Sequence, residues 1–396
     1  MSADKFPVND AKQFGVNRAS VLVYSSFVLA GVVTTLLGPM LPLLMARWSM
    51  TDERAGLFFT FQFFGNLAGI ATLGPLLTRR GYGQTFVIGF ISIGVGIAGL
   101  NSGNEFTCLA ATAVFGYGLG LILSGVNLWA AEVAGSRRTA ALSILNVAWG
   151  IGAISCPALV LMAHQANRLS ILIFGIAGLS TVAAIAIALM NIEPGAHRHI
   201  DSGIPAAGMR AGKKFTFALG GLFFLYIGTE GCVGGWTASL AKRMGTSGGN
   251  LWELAPMFFW AGLLAGRAMA PVILRRITER ALFAGGLILA GSFSAALWWA
   301  AASFRGIAIC VALTGLGLSS IYPLIISWMV GHFGAEAKRL GSVMFALASV
   351  GGAILPAAVG YTSTHTGSLR AGLLVPFFAC VVMLGFLGMM REPTVD

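Results

Sequence analysis

The residues best suited to chemistry lie on one stretch, Tyr226-Ile-Gly-Thr-Glu-Gly-Cys-Val-Gly-Gly-Trp236, inside an apolar run from Phe215 to Leu240. It carries a carboxylate, Glu230. At bilayer depth such a group costs several kcal/mol unless it is paired, protonated or facing water. Glycines at 228, 231, 234 and 235 weaken the helix there and allow close backbone approach. The next apolar run holds Gly266-Arg267. With each midplane set halfway between flanking charges, Glu230 falls ~3 Å to one side and Arg267 ~4–5 Å to the other, at 1.5 Å rise per residue. The difference in depth, ~7–8 Å by the same rise, is near the limit of an arginine side chain. Glu230 is therefore the expected proton- or cation-coupling group and Arg267 its switching partner. A guanidinium nearby favours the carboxylate and burial favours the acid, so movement between helices could bind and release a proton. The alternative is a buried pair that fixes two helices without titrating.

A second set of residues suits a small polar solute. Gln62, Asn66, Asn127 and Asn146 offer amides for hydroxyl groups, and Trp149, Tyr226, Trp236 and Tyr322 offer flat aromatic faces for C–H surfaces. The same amides could instead bond between helices, for about 1 kcal/mol or less each. Trp48 and Trp252, near run ends, read as interface-belt residues. Pro157, Pro323 and Pro356 read as helix kinks. The histidines, at 164, 197, 199, 332 and 365, fall in or near loops and read as solvated. The five cysteines (108, 156, 232, 310 and 380) lie in apolar segments without metal-ligand spacing and read as small core residues. No nucleophile–base constellation, haem motif or Walker loop is present, so neither an enzyme nor a cofactor is expected.

What must position these residues follows from composition. The chain has 396 residues, is 57% hydrophobic and only 10% charged, with a mean hydropathy of +0.83. A soluble domain carries about 25% charged residues, so lipid is the expected solvent. Runs of about 20 apolar residues recur, each long enough to cross about 30 Å of hydrocarbon. Twelve spans result: 19–45, 55–77, 84–101, 106–131, 139–163, 170–190, 215–241, 252–274, 281–302, 306–330, 340–363 and 371–390. A β-barrel would show short alternating segments instead. The polar stretch 191–214 divides the chain into bundles 1–190 and 215–396 and reads as a cytoplasmic linker. With both termini inside, 17 Lys and Arg lie in inner segments and 7 in outer ones, which supports that orientation. The net charge of +11 is thus a topology signal and not a nucleic-acid footprint. No cleaved signal peptide is expected before the first span.

The two halves repeat. A shift of 197 residues places Gly31 on Gly228, Gly38 on Gly235, Gly65 on Gly262, Gly69 on Gly266, Arg79 on Arg276 and Gly118-Leu-Gly on Gly315-Leu-Gly. A shift of 199 places Gly152 on Gly351 and Pro157 on Pro356. One near-constant offset across four pairs of spans predicts parallel six-helix repeats with a cavity between them near the midplane.

Spans 2 and 3 are joined by Gly74-Pro-Leu-Leu-Thr-Arg-Arg-Gly81. This resembles the loop signature of the major facilitator superfamily, with Thr78 where that family has an aspartate. The aspartate helps latch the cytoplasmic side through charge pairs. Here Arg79 and Arg80 could pair with Glu132 at the end of span 4, or serve only as topology anchors. The stretch Tyr226–Trp236, Gly266-Arg267, Gly315-Leu-Gly-Leu-Ser-Ser-Ile-Tyr-Pro323, Gly118-Leu-Gly with Asn127, and Gly351-Gly-Ala-Ile-Leu-Pro356 narrow the resemblance to the fucose permease-like branch. That branch contains fucose–galactose–glucose proton symporters and sodium-dependent glucose transporter relatives. The resemblance implies transport of a sugar or other small polar solute by alternating access.

The expected protein is an all-α membrane protein of twelve transmembrane helices in two pseudo-symmetric six-helix bundles. It would carry a small polar solute, with a sugar first among them, by proton or sodium symport, as a monomer in a bacterial inner membrane. Rival readings are proton-coupled drug or metabolite efflux, and a non-transporting sensor on the same fold.

Overall fold

A computed structural model describes residues 18–190, 192, 213–245, 251–334 and 337–390. These residues make twelve passes. The first is two helices, Arg18–Thr35 and Leu37–Trp48, bent by 40°. Pro39 and Pro42 lie just past the bend and lack the amide hydrogens that would continue the helical ladder. The helix Asp52–Gly99 has 48 residues. At 1.5 Å per residue it would run ~72 Å, more than twice the hydrocarbon thickness. It breaks at Gly81, with φ 71° and ψ 179°, a conformation essentially confined to glycine. Residues 52–80 and 82–99 are therefore the second and third passes.

The first half is completed by Glu105–Ala134, Arg138–Gln165 and Leu169–Leu189. The second half begins with Lys213–Met244, so Lys213 and Lys214 belong to a helix; the rest of the expected linker, apart from Ile192, lies outside the described residues. The eighth pass joins a 3-10 turn, Leu251–Leu254, to Ala255–Ile273. Glu279–Ala300 follows, then the broken pass Phe304–Leu318 and Ile321–Phe333. Ala337–Thr366 and a last broken pass, Leu369–Gly372 with Val375–Met389, close the bundle. Twelve passes put residues 18 and 389 at one end, here the terminal end; the opposite end is the distal end.

Glycines set the helix spacing, and they do so twice over. Gly65 of the second pass lies against the backbone of Ala113, and Gly116 of the fourth against Gln62. In the second half Gly262 lies against Ala312 and Gly315 against Phe259, the same crossing between passes 8 and 10. Likewise Gly152 meets Val28 between passes 5 and 1, and Gly351 meets Phe224 between passes 11 and 7. The repeat offset read in the sequence is thus a repeat of helix contacts. Any Cβ at these positions would strike backbone, which small residues avoid in lipid-embedded packing.

The halves meet on the distal side. Passes 2 and 11 run together from Asp52 to Asn66, a depth of ~21 Å by helical rise. Gly56 lies against Ala357, Thr60 donates to the Ala353 carbonyl at 2.9 Å, and Ser349 donates to Asn66 at 3.1 Å. Gly38 of the first pass lies against Gly234 of the seventh, and Gly150 of the fifth against Leu264 of the eighth.

Candidate functional site

Glu230 and Tyr226 are one helical turn apart on the seventh pass, so they share a face. Tyr226 is fully buried and stacks on Tyr322 of the tenth pass, with ring centroids 5.4 Å apart and planes 23° apart. Glu230 is half-buried. Arg267, on the eighth pass, is also half-buried. Glu230, Arg267, Tyr226 and Tyr322 lie within electrostatic reach of one another. No ion pair within 4.0 Å joins Glu230 to Arg267 among the described residues; the Tyr226 hydroxyl faces both. That hydroxyl and Arg267 Nε have no partner within hydrogen-bond geometry among the described residues.

The guanidinium is held from the other half. Its Cζ lies 5.9 Å from the ring centroid of Trp149 on the fifth pass. This is a cation–π contact at the outer edge of its useful range. Trp149 Nε1 donates to Thr34 Oγ1 of the first pass at 3.4 Å, and its ring meets Trp260 edge-on at 5.5 Å. Trp260 is two turns from Arg267 on the same helix face, and its buried Nε1 has no partner. The site therefore contains a carboxylate and a guanidinium that no ion pair within 4.0 Å joins, three buried donors without acceptors among the described residues, and aromatic faces from both halves. Such a set can hold a proton, bind hydroxyl groups, and sense the distance between the halves. Thr34 and Trp260 were absent from the sequence expectations. Trp260 was signalled only by its seven-residue spacing from Arg267.

The other expected solute contacts are dispersed. Gln62 is buried, with Nε2 3.4 Å from the Thr34 carbonyl, beside the site. Asn66 accepts from Ser349 of the other half. Asn127 and Asn146 each turn back on their own helix, to the Leu123 and Leu142 carbonyls at 2.7 and 2.9 Å. Trp236 departs from expectation. It is fully buried, donates to the Pro356 carbonyl at 2.9 Å and packs on Phe59, so it holds passes 7, 11 and 2 together with no edge left for a solute. Arg79, Arg80 and Glu132 are exposed at the terminal end. No ion pair within 4.0 Å joins them among the described residues; the Tyr82 hydroxyl faces Glu132 instead.

Sequence reasoning missed the distal end. Asp52 takes a two-pronged ion pair from Arg243, with Nη1 to Oδ2 at 2.7 Å, and accepts from Ser363 at 2.5 Å. One carboxylate thus ties the second pass to the seventh and eleventh. The Glu53 amide donates to Thr364 at 2.9 Å and Lys242 Nζ to the Pro42 carbonyl at 3.2 Å. His164, expected to be solvated, pairs with the fully buried Glu253 across the halves. Trp252, expected in an interface belt, is buried between Lys242 and His164, with Nζ 4.9 Å from its ring and the imidazole edge-on at 6.0 Å. His332 stacks on Phe215 at 3.8 Å instead of facing solvent. Sequence position placed all of these near loops, and loops read as wet.

Twelve passes in two repeated six-helix halves, with charged and aromatic groups at their junction, define a membrane carrier of two-bundle architecture. The chain belongs to the Major Facilitator Superfamily, whose family model matches residues 23–302. It is 22% identical to the glucose/mannose transporter GlcP of Bacillus subtilis over 363 residues, covering 86% of each chain. Among solved structures, FucP in the outward conformation aligns with a TM-score of 0.63 at 18% identity, over 95% of this chain and 99% of that one. A bacterial homologue of the human lysosomal transporter Spinster, inward-facing and unoccupied, aligns with a TM-score of 0.75 at 13% identity, over 93% and 95%.

Proposed function

We propose that this protein is a secondary active transporter that moves a small polar solute, and specifically a sugar, by cation symport with alternating access. The observation that carries the reading is Glu230. It is a carboxylate in a membrane-spanning helix, within electrostatic reach of an arginine that the opposite half holds through Trp149. Rocking of the halves changes the Trp149–Arg267 contact and so frees or withdraws the counter-charge of Glu230. Glu230 and Arg267 are the coupling pair. Trp149, Tyr226, Tyr322 and Gln62 bind the solute, and Asn66, Asn127 and Asn146 border its path. The likeness to a glucose/mannose transporter supports a sugar, and the solved fucose:proton symporter FucP supports proton coupling.

We place bundles 1–190 and 215–396 on either side of a cytoplasmic linker, with both termini inside a bacterial inner membrane and the monomer as the working unit. The Lys and Arg bias supports that orientation. The distal end then faces outward and is shut. Arg79, Arg80 and Glu132 stand at the inner end, where they would close when the distal end opens.

Counterflow in proteoliposomes, with a panel of sugars and with imposed proton or sodium gradients, tests the reading. Sugar counterflow and gradient-driven accumulation are expected, and Glu230→Gln should keep the first and lose the second. No response to any sugar, with proton-driven extrusion of a lipophilic cation, would overturn it in favour of efflux.

A further inference from the structure

Glu253 sits in the 3-10 turn Leu251–Leu254 that opens the eighth pass, at the distal end, and is 0% exposed. Its Oε1 meets His164 Nδ1 from the last turn of the fifth pass, and its Oε2 has no hydrogen-bond partner among the described residues. The fifth pass belongs to one half and the turn to the other. The pair therefore exists only while the distal end is shut. The His164 side chain is 29% exposed, so protons reach it from the distal medium.

The charge balance decides what the closed pair must hold. A neutral imidazole beside an ionised Glu253 would leave a buried anion with one oxygen unpartnered, a costly arrangement in a dry interior. One proton lowers that cost by neutralising the pair as a whole. On His164 it makes an ion pair; on Glu253 it makes a neutral acid that donates to Nδ1. Among the described residues, Lys242 of the seventh pass is the other ionisable group that faces Glu253. Its direct contacts are the Pro42 carbonyl and the Trp252 ring, and no ion pair within 4.0 Å joins it to Glu253 among the described residues. It acts from longer range and leaves Oε2 unmet. Asp52 and Arg243 satisfy each other and Ser363.

We propose that His164 and Glu253 form a second proton-binding site, distinct from Glu230, assembled by closure of the distal end. On opening, both groups become hydrated, the carboxylate ionises, and the proton that the closed pair shares is free to leave to the distal medium. Closure therefore takes up one proton from the distal side and opening returns it there. By reciprocity, acid on the distal side favours closure. The site thus regulates access and carries no proton across the membrane.

Spin labels on Gly103→Cys and Ala302→Cys, exposed distal positions of the two halves, report the opening. The native cysteines are buried and spared from labelling. In the full-length protein the short-distance population should rise several-fold between pH 8 and pH 6. His164→Gln and Glu253→Gln should each flatten that response, and His164→Lys, with a permanent charge, should hold the distal end shut at pH 8. In a Glu230→Gln background, which shifts the closed fraction through the coupling site, adding His164→Gln should still remove a pH-dependent part of the response, which separates the two sites. The proposal is overturned if both glutamine variants keep the full pH response, if His164→Lys behaves as the wild type at pH 8, or if the response disappears only with Glu230→Gln or Asp52→Asn.

Discussion

Tyr226 is the residue on which the central site turns. Its ring is locked in the core against Tyr322, while its hydroxyl has no hydrogen-bond partner and faces Glu230 and Arg267. Removing a hydroxyl whose polar neighbours, Glu230 and Arg267, lie outside hydrogen-bond geometry should change stability little, so Tyr226→Phe is expected within about 0.5 kcal/mol of wild type in thermal unfolding. Its effect should appear in transport, as a shifted pH profile of sugar uptake with counterflow retained. Trp149→Phe keeps an aromatic face for Arg267 and should retain coupling. Trp149→Leu removes that face, worth about 0.5–2 kcal/mol by general cation–π magnitudes, and should weaken gradient-driven accumulation more than counterflow. Equal loss of both activities in Trp149→Leu would assign the tryptophan to solute binding alone.

At the scale of elements, glycine does two separate things. Gly81 turns one 48-residue helix into two passes through a backbone conformation that other residues rarely adopt. Gly81→Ala should cost about 1–3 kcal/mol in thermal unfolding. Gly74, seven residues earlier, is exposed in a helix, and a methyl group there would meet open space among the described residues. There Gly74→Ala should be neutral or stabilising by up to about 1 kcal/mol. The crossing glycines behave differently again. A Cβ at Gly315 would strike the Phe259 backbone, so Gly315→Val should disrupt the crossing of passes 8 and 10. Because Gly116 makes the matching crossing in the first half, Gly116→Val should fail in the same way. Protease sensitivity of the purified protein would show whether the two defects match.

For the whole molecule, the distal latch favours the closed arrangement of the halves. Asp52 joins three passes from two halves through Arg243 and Ser363. Asp52→Asn keeps the shape and loses the charge-assisted bonds. At about 1.5–3 kcal/mol for such bonds, the closed-to-open ratio should fall roughly 10- to 150-fold. The spin-label pair at positions 103 and 302 would register it as a longer distance. An unchanged distance would mean that the glycine contacts between passes 2 and 11 suffice to hold the end shut.

Much of this architecture was legible in the chain itself. Span number, the repeat and the anomalous Glu230 follow from hydropathy and spacing, because lipid forces every backbone group into a helix and makes a stray charge conspicuous. Tertiary structure decided which charges meet. Glu230 and Arg267 could be set at neighbouring depths from rise per residue, but helix rotation about its axis places Tyr226 between them and Trp149 over the guanidinium. Trp236 and Trp149 look alike in sequence; packing against Phe59 and Pro356 consumes the first and leaves the second at the junction of the halves. The distal contacts were invisible for a further reason. Asp52 and Ser363 are 311 residues apart and His164 and Glu253 are 89, and each pair forms only when two repeats dock. Local pattern records what one helix needs from lipid. It holds no record of which loop-end charge a second bundle will bring to meet it, because that depends on the rigid-body position of the halves.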